Sequence, residues 1–83
     1  MYIVCANLYC GELNDYVYHW DGGEFTSLEE ATEFYNIYRP DEKEIERQII
    51  EAQKDFPKSE FELEVGLWDS EGRDVEFYNE GLI

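Results

Sequence analysis

Residues 59–68, S-E-F-E-L-E-V-G-L-W, alternate between two kinds of side chain from Glu60 to Val65. Phe61, Leu63, Val65 and Leu67 fall on one parity, and Glu60, Glu62 and Glu64 on the other. Successive side chains of a strand point to opposite faces, so this segment is a strand with one apolar and one anionic face. The apolar face demands a core to pack against. The anionic face demands water or a cationic partner.

The rest of the chain supplies that core. Residues 2–9, Y-I-V-C-A-N-L-Y, are rich in β-branched and aromatic types and read as a first strand. Gly11, Asn14 and Asp15 supply turn chemistry. Residues 16–20, Y-V-Y-H-W, then return as a second strand, antiparallel to the first because the connection is short. Asp21-Gly22-Gly23 is expected to end it. Ser27 with Glu30 forms a capping box, and Thr26 with Glu29 offers the same one residue earlier; either starts a helix that runs to about Tyr38 along Leu28, Ala31 and Phe34 or Tyr35. Arg39-Pro40 breaks it, and Pro40 is expected at the first position of a second helix. Ile45, Ile49, Ala52 and Phe56 make one apolar stripe along that helix. Glu44 with Arg47 and Glu51 with Lys54 are i, i+3 ion pairs, and Pro57 ends the segment. After the 59–68 strand, Asp69-Ser70-Glu71-Gly72 turns the chain into a fourth strand over 73–78. Val75 and Phe77 are expected in the core there, with Asp74, Glu76 and Tyr78 outward. Residues 79–83 are a tail whose docking the sequence does not fix.

The pattern is one α+β domain over residues 1–83. It predicts a four-stranded antiparallel sheet in ββααββ order, with two helices packed on one face and the other face wet. A chain this short buries only about 60% of its unfolded surface, so its core is thin. Cys5 and Cys10 on one extended strand stand roughly 16–18 Å apart, too far for a disulfide. No apolar run reaches membrane-spanning length, and the N-terminus lacks a signal-peptide pattern. A cytoplasmic location is therefore expected, which for a phage-encoded chain means the host bacterial cytoplasm.

Charge is the dominant functional clue. Twenty-one acids face six bases, a net charge of −15. Residues 1–38 hold seven acids and no Lys or Arg, and residues 59–83 hold eight acids and only Arg73. Five of the six bases, Arg39, Lys43, Arg47, Lys54 and Lys58, sit in residues 39–58. Solubility needs a net charge of only about 2–8, and the excess repels itself in the compact state. Like charge also disfavours direct binding to nucleic acid and to anionic membranes.

No catalytic constellation stands out. His19 is the only histidine and has no Cys or Asp at ligand spacing. No G-x-S-x-G, C-x-x-C, H-E-x-x-H or phosphate loop occurs. Residues 69–74 resemble the start of an EF-hand loop only in composition: the glycine falls early and no helix precedes it, so a hairpin turn is the better reading. The expectation is a protein that is not an enzyme and needs no cofactor or metal.

Glu60, Glu62 and Glu64 stand about 6.6–6.8 Å apart along one face. With Asp74 and Glu76 on the partner strand they are expected to form a ladder of carboxylates, spaced comparably to the phosphates of a nucleic-acid strand. The acids of the first hairpin, Glu12, Asp15 and Asp21, extend it. Proteins answer phosphates with Lys and Arg, so such a ladder fits a basic groove. The plain alternative is an ordinary solvated strand face. Tyr16, Tyr18 and Trp20, together with Trp68 and Tyr78, lie on the open face or in the core according to a register the sequence does not fix. Exposed, they would suit an interface and stack on guanidinium groups.

In size, acidity and sheet-plus-helix make-up the chain resembles the small phage inhibitors of bacterial defence, the nucleic-acid-mimicking antirestriction and anti-CRISPR proteins. Tyr2-Ile3-Val4-Cys5-Ala6-Asn7-Leu8, a turn, and residues 16–20 followed by Asp21 are similar to the first hairpin of the ArdA antirestriction family, over about the first quarter of the chain. The resemblance implies a non-enzymatic protein that blocks the DNA- or RNA-binding surface of a restriction or CRISPR complex. The partner would be a basic nucleic-acid-handling protein. The alternative is a protein-interaction module that works through exposed aromatics, its acids serving solubility. Whether an edge strand pairs with a second copy to make a homodimer is left open by the sequence.

Overall fold

The computed structural model describes residues 1–83. Its elements run β1 (Tyr2–Cys10), β2 (Asp15–Phe25), α1 (Leu28–Ile37), α2 (Glu42–Gln53), β3 (Phe61–Asp69) and β4 (Asp74–Gly81). The fold is α+β in ββααββ order, as the sequence pattern predicts. All strands are antiparallel in one sheet of order β2-β1-β3-β4, so the two hairpins join through β1 and β3.

Pairing between β1 and β3 is unbroken: Val4, Ala6, Leu8 and Cys10 face Leu67, Val65, Leu63 and Phe61. All eight are fully buried, and they meet Ala31 and Tyr35 of α1 and Ile45 and Ile49 of α2 in a single core. Both helices therefore cover one face of the sheet. Only 16 of the 83 residues are buried. Each large apolar side chain in so small a core contributes about 1.5–3 kcal/mol, and few others share the load.

Three β-bulges shape the edges. The register slips between Val4 and Cys5, between Leu8 and Tyr9, and between Leu67 and Trp68. In each case the extra residue, Gly22, Val17 or Val75, lies on an edge strand. An extra residue exchanges the faces of everything beyond it. Gly22 explains why Asp21-Gly22-Gly23 does not end β2: a Cβ there would stand 2.7 Å from the Val4 carbonyl oxygen and 3.1 Å from the Tyr38 ring. Only glycine lets the chain bulge at that point and continue to Phe25.

Other expectations are refined. Ser27 does cap α1, its Oγ accepting from the Glu30 amide at 3.4 Å, but Tyr38 is already extended. Its ring stacks on Phe34, which in turn meets Phe25. Asp41 rather than Pro40 precedes the first turn of α2, and Pro40 is buried just before it. The Arg47–Glu44 and Lys54–Glu51 pairs form as the spacing predicts. The end of the chain docks: the Phe61 amide donates to the Ile83 carbonyl, and the Leu82 amide to the Phe61 carbonyl. Cys5 and Cys10 are free thiols on opposite faces of β1. No helix is long and apolar enough to cross a membrane.

Candidate interaction face

The side of the sheet away from the helices has no element packed on it. Register arranges it as four cross-strand rows. The first is Glu24, Ile3, Trp68 and Asp74, and the second Asp21, Cys5, Gly66 and Phe77. The third is His19, Asn7, Glu64 and Asn79, and the fourth Tyr16, Tyr9, Glu62 and Gly81. None of the four strands contains a Lys or Arg. Five carboxylates therefore share this face with no guanidinium or ammonium group among them.

Glu62 and Glu64 stand where the alternation of β3 places them, and Glu60 is exposed just ahead of the strand. Asp74 and Asp21 join them, and Glu24 adds an acid the sequence reading missed. Its signal was hidden because the Gly22 bulge puts Glu24 and Asp21 on one face despite their odd spacing.

Several expected members lie elsewhere. Glu76 and Tyr78 pair with Leu67 and Val65, on the helix side. Tyr78 meets the Tyr35 ring at 5.9 Å there, and Glu80 pairs with Arg39. Phe77 consequently faces the open side and is 55% exposed, and Val75 is exposed as well. Assigning Val75 and Phe77 to the core and Glu76 and Tyr78 to the outside is thus reversed by the Val75 bulge. The Val17 bulge acts likewise on β2. Tyr16 lies on the open face, whereas Tyr18 and Trp20 pair with Leu8 and Ala6 on the helix side. Trp20 packs against the core. Asp15 stays exposed at the start of β2, and Glu12 in the hairpin loop donates its amide to the Ser59 hydroxyl at 2.9 Å.

The polar half of the face is hydrogen-bonded across strands. Tyr16 Oη donates to Glu64 Oε1 at 2.9 Å and meets Tyr9 edge-on at 5.9 Å. That bond to a carboxylate, with burial and the Glu64 charge adding, pushes the Tyr16 phenol up to about 12. His19 lies between Asn7 Oδ1 at 2.7 Å and Asp21 Oδ1 at 2.9 Å. Burial pushes the Cys5 thiol up to about 11, and the carboxylates of Asp21 and Glu64 push the same way. A thiol so held is protonated at neutral pH and is a poor nucleophile.

The other half has an apolar centre edged by Asp21, Glu24 and Asp74. The Trp68 indole lies on the backbone of Gly66: a Cβ at position 66 would fall 2.2 Å from Cη2 and 2.5 Å from Cζ3. Ile3, Cys5 and Phe77 surround it by register. Past this patch, Asp69 ties the β3–β4 turn by accepting from the amides of Glu71 at 2.9 Å and Arg73 at 3.0 Å. The Arg73 amide, then that of Glu71 and the Arg73 guanidinium, hold the Asp69 carboxyl below its usual range. These bonds close a hairpin turn between β3 and β4. Arg73 is the base nearest the patch, and Asp69 and Glu71 hold it.

The comparisons with known proteins add no neighbour: no protein-family model, no curated protein and no solved structure matches this chain.

Proposed function

We propose that the chain is a non-enzymatic inhibitor that lays the uncovered face of its sheet against the basic, nucleic-acid-binding groove of another protein and keeps the nucleic acid out. The observation that carries this reading is the sorting of charge. Glu24, Asp21, Glu62, Glu64 and Asp74 share a stiff surface with no Lys or Arg in any strand. Neighbouring strands are about 4.8 Å apart and same-face residues about 6.6–6.8 Å apart along each, so the anions form a fixed lattice. Lys- and Arg-lined grooves are built to neutralise such arrays. The resemblance to small acidic anti-defence proteins makes a bacterial restriction or CRISPR complex the partner to try first.

The test is a challenge assay in bacteria carrying such a complex, with the chain supplied on a plasmid. The expected result is loss of defence, and its recovery when Glu60, Glu62 and Glu64 are all changed to Gln. Inhibition that survives the triple substitution, or binding that ignores salt, overturns the reading.

One observation favours a second reading, an aromatic protein-interaction module. Phe77 is more than half exposed on the edge strand β4, beside Gly66. On that reading Phe77→Ala abolishes partner binding while the three Gln substitutions leave it unchanged.

A further inference from the structure

Resting on the anionic-face reading, we propose that the apolar half of the open face is an arginine-selective docking platform, on which guanidinium groups of a protein partner stack against Trp68 and Phe77 while neighbouring carboxylates hold their charge. The Trp68 ring is seated by contact with Gly66 and stays half-buried, so part of it remains open to solvent. A side chain with a Cβ at position 66 would deny it that seat. Phe77 is the cross-strand neighbour of Gly66 and is 55% exposed. The pair is thus presented where the core has no claim on it.

The surrounding charge fits a cation and no other class. Asp74 is the register partner of Trp68, Glu64 stands one same-face step along β3 from Gly66, and Asp21 and Glu24 lie across β1. Backbones two strands apart are about 9–10 Å from each other, within reach of a long side chain and its carboxylate partner. Apolar surface ringed by acids disfavours a second copy of this chain, whose own face would bring the same charge. A lysine ammonium would satisfy the acids but is strongly hydrated. A guanidinium is planar, more weakly hydrated, and stacks on aromatic rings while donating in its own plane to carboxylates.

The probes are nona-arginine and nona-lysine, titrated at low salt into the isotopically labelled full chain and followed by NMR. Nona-arginine is expected to bind roughly two- to fivefold tighter and to shift the Trp68 indole N–H, whereas nona-lysine shifts amides beside the carboxylates and leaves the indole N–H in place. Trp68→Leu with Phe77→Leu keeps apolar cover over Gly66 and is expected to erase the difference. Equal affinities in the unaltered chain overturn the platform but leave the anionic face standing. A preference that persists in the double Leu variant also overturns it. If neither peptide binds, both readings fall.

Discussion

The indole of Trp68 occupies the space that a side chain at position 66 would need. Its Cη2 lies 2.2 Å from where a Cβ on Gly66 would stand. Glycine and tryptophan two residues apart thus form one unit, the ring covering backbone that no side chain of its own can cover. Gly66→Ala should cost about 1–3 kcal/mol, the usual penalty for overpacking. Trp68→Ala added to it should cost less than the two separate losses together, because the clash needs both groups. A double-mutant cycle from urea unfolding measures this, and strict additivity would contradict the contact.

Ser59 is a buried polar residue that joins its own stretch of chain to the β1–β2 hairpin. Its Oγ accepts from the Glu12 amide at 2.9 Å, donates to the Glu60 carbonyl at 2.8 Å, and stands 3.1 Å from the Cys10 thiol. Ser59→Ala leaves the Glu12 amide without that acceptor. The expected cost is about 1–3 kcal/mol, with faster amide exchange in the β1–β2 loop. A variant as stable as the parent would show that water replaces the hydroxyl without loss.

Glu64 and Glu76 carry the same charge on opposite faces. Changing either to Gln raises the net charge by one, but only Glu64→Gln alters the open side. Its loss should weaken binding of nona-lysine more than the loss of Glu76 does, as read by calorimetry at low salt. Equal losses would mean that the cation senses total charge alone.

Stability should fall at high pH. Cys5 rises from 9.0 to about 11 and Tyr16 from 10.0 to about 12 in the folded chain. Both values exceed the unfolded ones, so the folded state keeps its protons longer. Their contribution is intact below about pH 9 and disappears as pH climbs through 11 and 12. Melting temperature should be level up to the first limit and decline beyond it. Tyr16→Phe should flatten the part of the decline between pH 10 and 12, and the difference in tyrosinate absorbance between parent and variant separates the Tyr16 share from those of Tyr35 and Tyr38, which burial also raises.

The sequence disclosed the sheet where pairing is regular and concealed it where pairing slips. Alternation in β3 placed Phe61, Leu63, Val65 and Leu67 in the core because β3 runs beside β1 with no extra residue. The Ser27 cap and the ion pairs of α2 were legible for a similar reason: they depend on local spacing alone. Faces on β2 and β4 were not, since Val17, Gly22 and Val75 each reset the parity, and nothing local to them announces it. Phe77 reads as core by period and by residue type. Its exposure follows from Val75, two residues away. The seating of Trp68 was equally hidden, because a glycine in a strand does not reveal what rests on it.

Clustering of the bases has a consequence for motion rather than for structure. Arg39, Lys43, Arg47, Lys54 and Lys58 all fall within the segment built around α2, behind the sheet, while the uncovered face holds acids and no Lys or Arg. Six acids share that segment, so it is nearly neutral in a molecule of net charge −15. A cationic partner is therefore drawn least to α2 at long range, and pairing at short range with the open face has to select the pose. Added salt slows such encounters by shortening the reach of the field.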